Sequence, residues 1–228
     1  MDRPASRVQP SMHGWALLGL LALAPADDES ADTAIAEAAM EAVGCPAKAR
    51  TPSGCAVCPA ALHPEADPSV ERPRQRRLRV DTFAAHGPGV LLEYEGCSSR
   101  AEGDHTVVLL RCEAEACSVV ETWGYNDEGA CHLPRNSEGE AFPLCTSFGG
   151  SQGCYGADAT VVGGAAALEG WPQGATDCED VPLKVARVTD LDGDGDDDLV
   201  FTFGSGRWRA MQRGDRFVAL QCRSPTAC

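Results

Sequence analysis

Twelve cysteines in a chain of 228 residues constrain the fold more than any other feature of this sequence. Cytosolic proteins keep their thiols reduced, so this cysteine density is typical of disulfide frameworks in an oxidising compartment or of metal thiolate sites. We therefore expect a domain stapled by disulfides, with a pairing that the sequence leaves open. The candidate cysteines are Cys45, Cys55, Cys58, Cys97, Cys112, Cys117, Cys131, Cys145, Cys154, Cys178, Cys222 and Cys228.

The start of the chain has the three-part plan of a secretory signal peptide. Arg3 and Arg7 precede an apolar run over residues 15–24, and Ala26 is followed by an acidic stretch. The run is about half of the roughly 20 residues that a membrane-spanning helix needs. We expect residues 1–26 to be a signal peptide, with Met12 as an alternative start. The mature chain would then lack a transmembrane segment and be secreted or periplasmic.

The charge of the chain is strongly negative. It carries 34 acidic and 19 basic residues, which gives a formal net charge of −15. Such a charge disfavours binding to phosphate backbones and to anionic lipid, so we expect no nucleic-acid partner. A hydrophobic content of 43% is enough to build a core in a chain of this length.

Residues 27–80 are predicted to form a short N-terminal helix followed by a loop and linker rich in cysteine, proline and arginine. Ser30 can cap a helix over residues 31–43, and Gly44 with Pro46 would end it. The residues that follow are proline-rich and weakly hydrophobic, with arginines clustered over residues 72–79. This composition predicts an exposed linker.

Residues 81–228 are predicted to form a disulfide-rich β domain. Short runs of valine, leucine and aromatic residues at 90–94, 106–111 and 118–123 are bounded by glycine or charged clusters, as in strands. Cys112 and Cys117 would face one another at the mouth of a hairpin, which predicts a cross-strand disulfide. The glycine-rich residues 126–175 are predicted to be long loops held by bridges.

The sharpest motif is a loop in which aspartates alternate with other residues. A hard divalent cation takes about six to eight oxygen ligands at about 2.3–2.6 Å, and alternate carboxylates on a tight loop can point toward one ion. Gly193 and Gly195 permit the positive φ values that such a loop needs. The pattern predicts a Ca²⁺ site, since the carboxylates would otherwise repel one another. The candidate ligands are Asp190, Asp192, Asp194, Asp196 and Asp198.

The flanking residues distinguish between families of calcium loops. An EF-hand would close its loop with a bidentate glutamate where Phe201 stands here. Strand-like alternation on both sides predicts four short strands over residues 181–221. Residues 185–200, from Val185 through the aspartates to Val200, resemble an FG-GAP or VCBS repeat, the calcium-loop blade of integrin-like β-propellers. The resemblance implies Asp190, Asp192, Asp194 and Asp198 as side-chain ligands and the Asp196 carbonyl as a further one.

The resemblance covers only residues 181–221. A propeller needs about four or more blades, and residues 27–180 contain no second aspartate loop. The earlier strands could be degenerate blades, or a single repeat could be built into a small disulfide-stapled β domain. We favour the second alternative, because the strand-like sequence before the loop could hold two blades at most. The expected fold is mainly β, with a C-terminal four-stranded FG-GAP/VCBS-like unit and a short N-terminal helix.

Other motifs are weaker. Cys55 and Cys58 have the spacing of a redox pair or half a zinc site, but the prolines around them favour structural disulfides. Residues 149–153 match the G-x-S-x-G nucleophile elbow by letters, yet no histidine follows them, which favours a glycine loop. The remaining candidates are expected to be surface, loop or packing residues. They are His63, His86, His105, His132, Trp123, Tyr125, Tyr155, Trp171 and Trp208.

These observations favour a binding or scaffolding module with a structural Ca²⁺. In this hypothesis the ion rigidifies a surface that contacts an unknown protein or glycan at the cell surface. Two alternatives stay open. One is a secreted hydrolase with a structural calcium, and the other is a thiol redox or metal-handling protein that uses Cys55 and Cys58.

Overall fold

The structure is a computed structural model that describes residues 28–59, 73, 75–97, 105–114, 116–125, 128–151, 154–172 and 183–224. The predicted signal peptide lies outside these residues. The described part is mainly β, with a short N-terminal helix, as the sequence predicts. Within these ranges, no helix has both the length and the apolar content that crossing a membrane requires.

The N-terminal part begins with helix α1 (Asp28–Ala42), so the prediction that Ser30 caps the helix is wrong, because the helix starts two residues before it. A 3-10 turn (Ala47–Ala49) and a hairpin of β1 (Arg50–Thr51) and β2 (Gly54–Cys55) follow it. Gly44 has a φ of 78° and terminates the helix. The Gly44 N–H donates to the Glu41 carbonyl, and the next N–H along the chain donates to the Met40 carbonyl, as in a Schellman motif.

A four-stranded antiparallel sheet forms the centre of the molecule, with its strands in chain order. They are β3 (Gln75–Phe83), β4 (Gly87–Glu95), β5 (His105–Glu113) and β6 (Ala116–Tyr125). The prediction of a linker up to residue 80 is therefore wrong for residues 75–80. Arginines alternate there with Leu78 and Val80. This alternation every second residue is typical of an edge strand with one apolar and one polar face.

Both faces of this sheet are covered over its two central strands, β4 and β5. Val90, Leu92 and Leu110 belong to a buried cluster with Met40 and Val43 of α1. The alternate residues of β4 and β5 face the opposite way and belong to a second cluster, which includes Leu91, Val107 and Leu109. Because residues 90–92 of β4 and 107–110 of β5 are buried on both faces, these stretches are continuous apolar runs rather than alternating ones.

The second cluster is closed by a three-stranded antiparallel sheet. Its strands are β7 (Glu128–His132), β8 (Leu144–Ser151) and β9 (Cys154–Val161). The sequence predicts loops here, and that prediction is wrong. Gly149 of β8 lies opposite Gly156 of β9. Because glycine has no side chain, these strands lack the alternation of apolar and polar residues that predicts a strand from sequence.

A five-stranded sheet forms the C-terminal part. Its strands are β10 (Ala167–Glu169), β11 (Leu183–Thr189), β12 (Asp198–Phe203), β13 (Gly206–Gln212) and β14 (Arg216–Gln221). The predicted four strands form an antiparallel meander, and the short β10 adds a parallel strand beside β14. The sheet packs against the segment around β8, where the Phe142 and Phe217 rings meet edge to face at 5.6 Å.

Four disulfides join the described cysteines. They are Cys45–Cys55, Cys58–Cys97, Cys112–Cys117 and Cys131–Cys145, and Cys222 is also disulfide-bonded. The predicted Cys112–Cys117 bridge is confirmed, since these residues are directly opposite in the β5–β6 hairpin. Cys178, Cys228 and the side chain of Cys154 lie outside the described residues.

Candidate metal-binding loop

The aspartate loop connects β11 to β12 within the five-stranded sheet. Thr189 and Asp198 are paired across its base, so the strands hold the two ends of the loop together. Gly193 and Gly195 have φ values of 83° and 92°. These positive values are the ones expected of a tight loop, and they explain the two glycines between the aspartates.

Three of the five predicted ligands come together in this loop. Asp190, Asp192 and Asp194 are exposed, and each offers one carboxylate oxygen such that the three oxygens lie within 4.8 Å of one another. Two ligands on opposite sides of a calcium ion would be about 5 Å apart, given the usual metal–oxygen distances. The three carboxylates could therefore hold one hard cation.

The carboxylate of Asp190 also organises the loop. Its Oδ1 accepts a hydrogen bond from the Gly193 N–H at 2.6 Å, and its Oδ2 accepts one from the Gly195 N–H at 3.1 Å. Asp194 Oδ1 accepts from the Asp196 N–H at 3.0 Å. These bonds curl the backbone around the carboxylates and keep the three side chains on one side of the loop.

Arg213, in the turn between β13 and β14, contacts the same carboxylates. Its guanidinium donates to Asp192 at 2.6 Å and to Asp194 at 3.1 Å. The hydrogen bond from Arg213 lowers the pKa of Asp192, and the same bond raises the pKa of Arg213. The protein therefore supplies one positive charge of its own, and this charge offsets part of the repulsion between the aspartates.

Asp196 and Asp198 lie outside the cluster of three. Asp196 Oδ1 accepts a hydrogen bond from the backbone N–H of Ser137 at 2.7 Å. Asp198 is fully buried, and its two oxygens accept from the N–H groups of Leu191 at 2.9 Å and Gln212 at 2.8 Å. Burial raises the pKa of Asp198. In this arrangement its carboxylate fastens the loop to β13.

The loop is also held by a segment that no sequence pattern predicts. Arg135 exchanges two hydrogen bonds with Asp197, and Ser137 binds Asp196. Both residues come from the connection between β7 and β8, about 60 residues earlier in the chain. No local pattern links these two segments, because every residue type except proline has a backbone N–H that can donate such a bond.

The weaker candidates occupy other places. Cys55 and Cys58 belong to different disulfides, so they do not form the vicinal pair that the redox alternative requires. Trp171 stacks on Phe201 at 4.7 Å, and the Trp208 ring lies 6.2 Å from the same phenylalanine, which confirms packing as their use. Residues 149–153 are predicted to form a glycine loop. Residues 149–151 instead belong to β8, and residues 152–153 lie outside the described ranges.

The other aromatic and histidine residues considered as possible site residues lie in different parts of the fold. Trp123 is half-buried against the second cluster. His86 Nε2 lies 2.9 Å from the Gly163 carbonyl. His105 lies in β5 and His132 in β7, so both are strand residues. His63 and the side chains of Tyr125 and Tyr155 lie outside the described residues.

Comparison with protein-family models, curated proteins and solved structures gives no match for this chain.

Proposed function

We propose that the protein is an extracytoplasmic Ca²⁺-binding module whose role is to bind or scaffold a partner at the cell surface. In this proposal the β11–β14 meander is a single repeat of the FG-GAP or VCBS type. The observation that carries the proposal is the convergence of Asp190, Asp192 and Asp194, whose carboxylate oxygens lie within 4.8 Å of one another. Carboxylate oxygens are the ligands that Ca²⁺ prefers.

The neighbours of the cluster support a moderate affinity. Arg213 donates to two of the three carboxylates, so an arriving ion competes with a guanidinium that is already there. The cluster is also exposed, which leaves room for water as additional ligands. Extracellular calcium modules bind with dissociation constants of about 0.1–1 mM, and we expect this loop to fall in that range.

The contacts of the loop explain how an ion could affect a binding surface. The loop is bonded to residues 135 and 137, which precede β8, and to Gln212 of β13. An ion that orders the aspartates would therefore also order the junction between the three-stranded and five-stranded sheets. Partner binding on that surface would depend on calcium without the ion taking part in any chemistry.

The disulfides support the proposed location. Four bridges are formed among the described cysteines, and disulfides persist in oxidising compartments. The signal-peptide pattern of residues 1–26 agrees with this location.

A calcium titration of the oxidised protein by calorimetry tests the proposal. We expect one site, together with a stabilisation of about 1.4 kcal/mol when the ion is at tenfold its dissociation constant. Asp194→Ala should abolish both effects. Asp215→Ala is the matched control, since Asp215 is an exposed aspartate in the nearby β13–β14 turn. Absence of binding in the unmodified protein, or equal loss in both variants, would refute a specific site.

A further inference from the structure

A cleft of about 310 Å³ opens between α1, the β1–β2 hairpin and β3. Its size is at the lower end of ligand-binding pockets. Ala36 and Met40 of α1 and Leu78 and Val80 of β3 give it an apolar lining. Leu78 and Val80 are only partly buried, although they pack on the first core cluster, so the cleft leaves apolar surface uncovered.

The charged groups on the two sides of the cleft differ in whether they have a hydrogen-bond partner within the protein. On the hairpin side, the Arg50 guanidinium donates to the Glu41 carboxylate and to the Cys45 carbonyl, both at 3.3 Å. On the helix side, Asp32 and Glu37 line the cleft with exposed carboxylates. Among the described residues, neither of these two carboxylates has an ion-pair partner. Within the part of the chain that the structure describes, the cleft therefore combines apolar surface with two carboxylates that form no ion pair.

We propose that this cleft is a docking site for a basic peptide segment of a partner protein. One apolar side chain of the segment enters the cleft, and neighbouring lysine or arginine side chains pair with Asp32 and Glu37. The net charge of −15 adds a long-range attraction for such a segment. This inference does not rest on the proposed calcium site, which lies on a different sheet.

The test uses two synthetic tripeptides, Ac-Arg-Leu-Arg-NH₂ and Ac-Glu-Leu-Glu-NH₂, titrated into the full oxidised chain at fixed ionic strength. We expect saturable binding of the basic peptide only. Asp32→Asn combined with Glu37→Gln should weaken binding about fivefold, because exposed ion pairs contribute modestly. Asp158→Asn combined with Asp215→Asn is the control, since it removes the same charge from two exposed aspartates away from the cleft, one in β9 and one in the β13–β14 turn.

A second variant tests the apolar part. Ala36→Trp places a large ring in the cleft and should abolish binding of the basic peptide, while a thermal melt reports whether the variant is folded. Three results would overturn the proposal. They are no saturable binding of the basic peptide, equal weakening by the two charge variants, or self-association of the protein that Ala36→Trp abolishes, which would make a second copy the occupant. Peptide binding that persists with chelator separates this site from the calcium loop.

Discussion

Arg135 and Asp197 exchange two hydrogen bonds across the junction of two sheets. The Arg135 N–H donates to the Asp197 carboxylate at 3.0 Å, and the Asp197 N–H donates to the Arg135 carbonyl at 2.7 Å. The Arg135 guanidinium also donates to both carboxylate oxygens of Asp81 in β3, at 2.9 and 2.5 Å. One residue thus connects the aspartate loop to the central four-stranded sheet.

Replacing Arg135 by glutamine should destabilise this connection. The Asp81 side chain is only 11% exposed and would lose a bidentate partner, whereas the Arg135 side chain is 46% exposed. We expect a loss of about 1 kcal/mol in the free energy of unfolding, measured by urea denaturation. Arg223→Gln, at an exposed position, is the control. Additive effects of Arg135→Gln and Asp81→Asn in a double-mutant cycle would contradict the interaction.

Replacing Arg213 by glutamine should tighten calcium binding. The variant removes a positive charge that contacts Asp192 and Asp194, and repulsion between that charge and a divalent ion at about 5 Å in water corresponds to roughly tenfold in affinity. Calorimetric titration with Ca²⁺ measures the change. Arg216→Gln changes the net charge equally but removes a pair with Glu169, so its affinity should stay close to that of the parent. An equal increase in Ca²⁺ affinity in both variants would contradict a specific role of Arg213, because it would reflect only the change in net charge.

Asp198→Asn should destabilise the folded state by about 1–3 kcal/mol. Both carboxylate oxygens accept backbone N–H groups inside the protein, and an asparagine has one acceptor oxygen for the two donors, Leu191 and Gln212. Chemical denaturation in the presence of chelator isolates this effect from any metal. Asp215→Asn, whose side chain is 88% exposed, should change stability little. A comparable loss in that control would contradict the role of Asp198.

His132 should make stability decrease in mild acid. Burial lowers its pKa below the ordinary value, and repulsion from Arg79 acts in the same direction. The unfolded chain therefore binds a proton at higher pH than the folded chain does. Stability should fall as the pH drops below about 6.5 and continue to fall until the folded-state pKa is reached. Melts between pH 7.5 and 5 of the parent and His132→Gln test this, and identical pH dependence in both would disprove it.

The disulfides should contribute unequally to stability. Cys58–Cys97 joins residues 39 apart in sequence, whereas Cys112–Cys117 joins residues 5 apart. On the chain-entropy account, the longer loop is worth about 4 kcal/mol and the shorter about 2 kcal/mol. Replacing each pair by alanines and measuring the free energy of unfolding compares them. A larger loss for the short hairpin bridge would mean that local packing outweighs loop closure.

Sequence patterns predicted best those elements whose contacts are between residues close together in the chain. The helix before Gly44, the β5–β6 hairpin with its cystine and the meander around the aspartate loop all rest on contacts between residues close in the chain. The alternating aspartates likewise place three carboxylates together, because a short loop closed by paired strands holds them on one side. Propensity, turn chemistry and strand period are sufficient for such elements.

Features that depend on contacts between residues far apart in the chain are visible only in the tertiary structure. The three-stranded sheet was missed because its glycines carry no apolar alternation, and its strands are recognisable only through their pairing with each other. The pairing of Cys58 with Cys97 and the contacts of Arg135 and Arg213 with the loop depend on which elements pack together. The sequence by itself determined the local hairpins and the acidic loop. Only the packed chain decided which charges and backbone groups meet that loop, because packing energy depends on the whole arrangement of elements, not on any one segment.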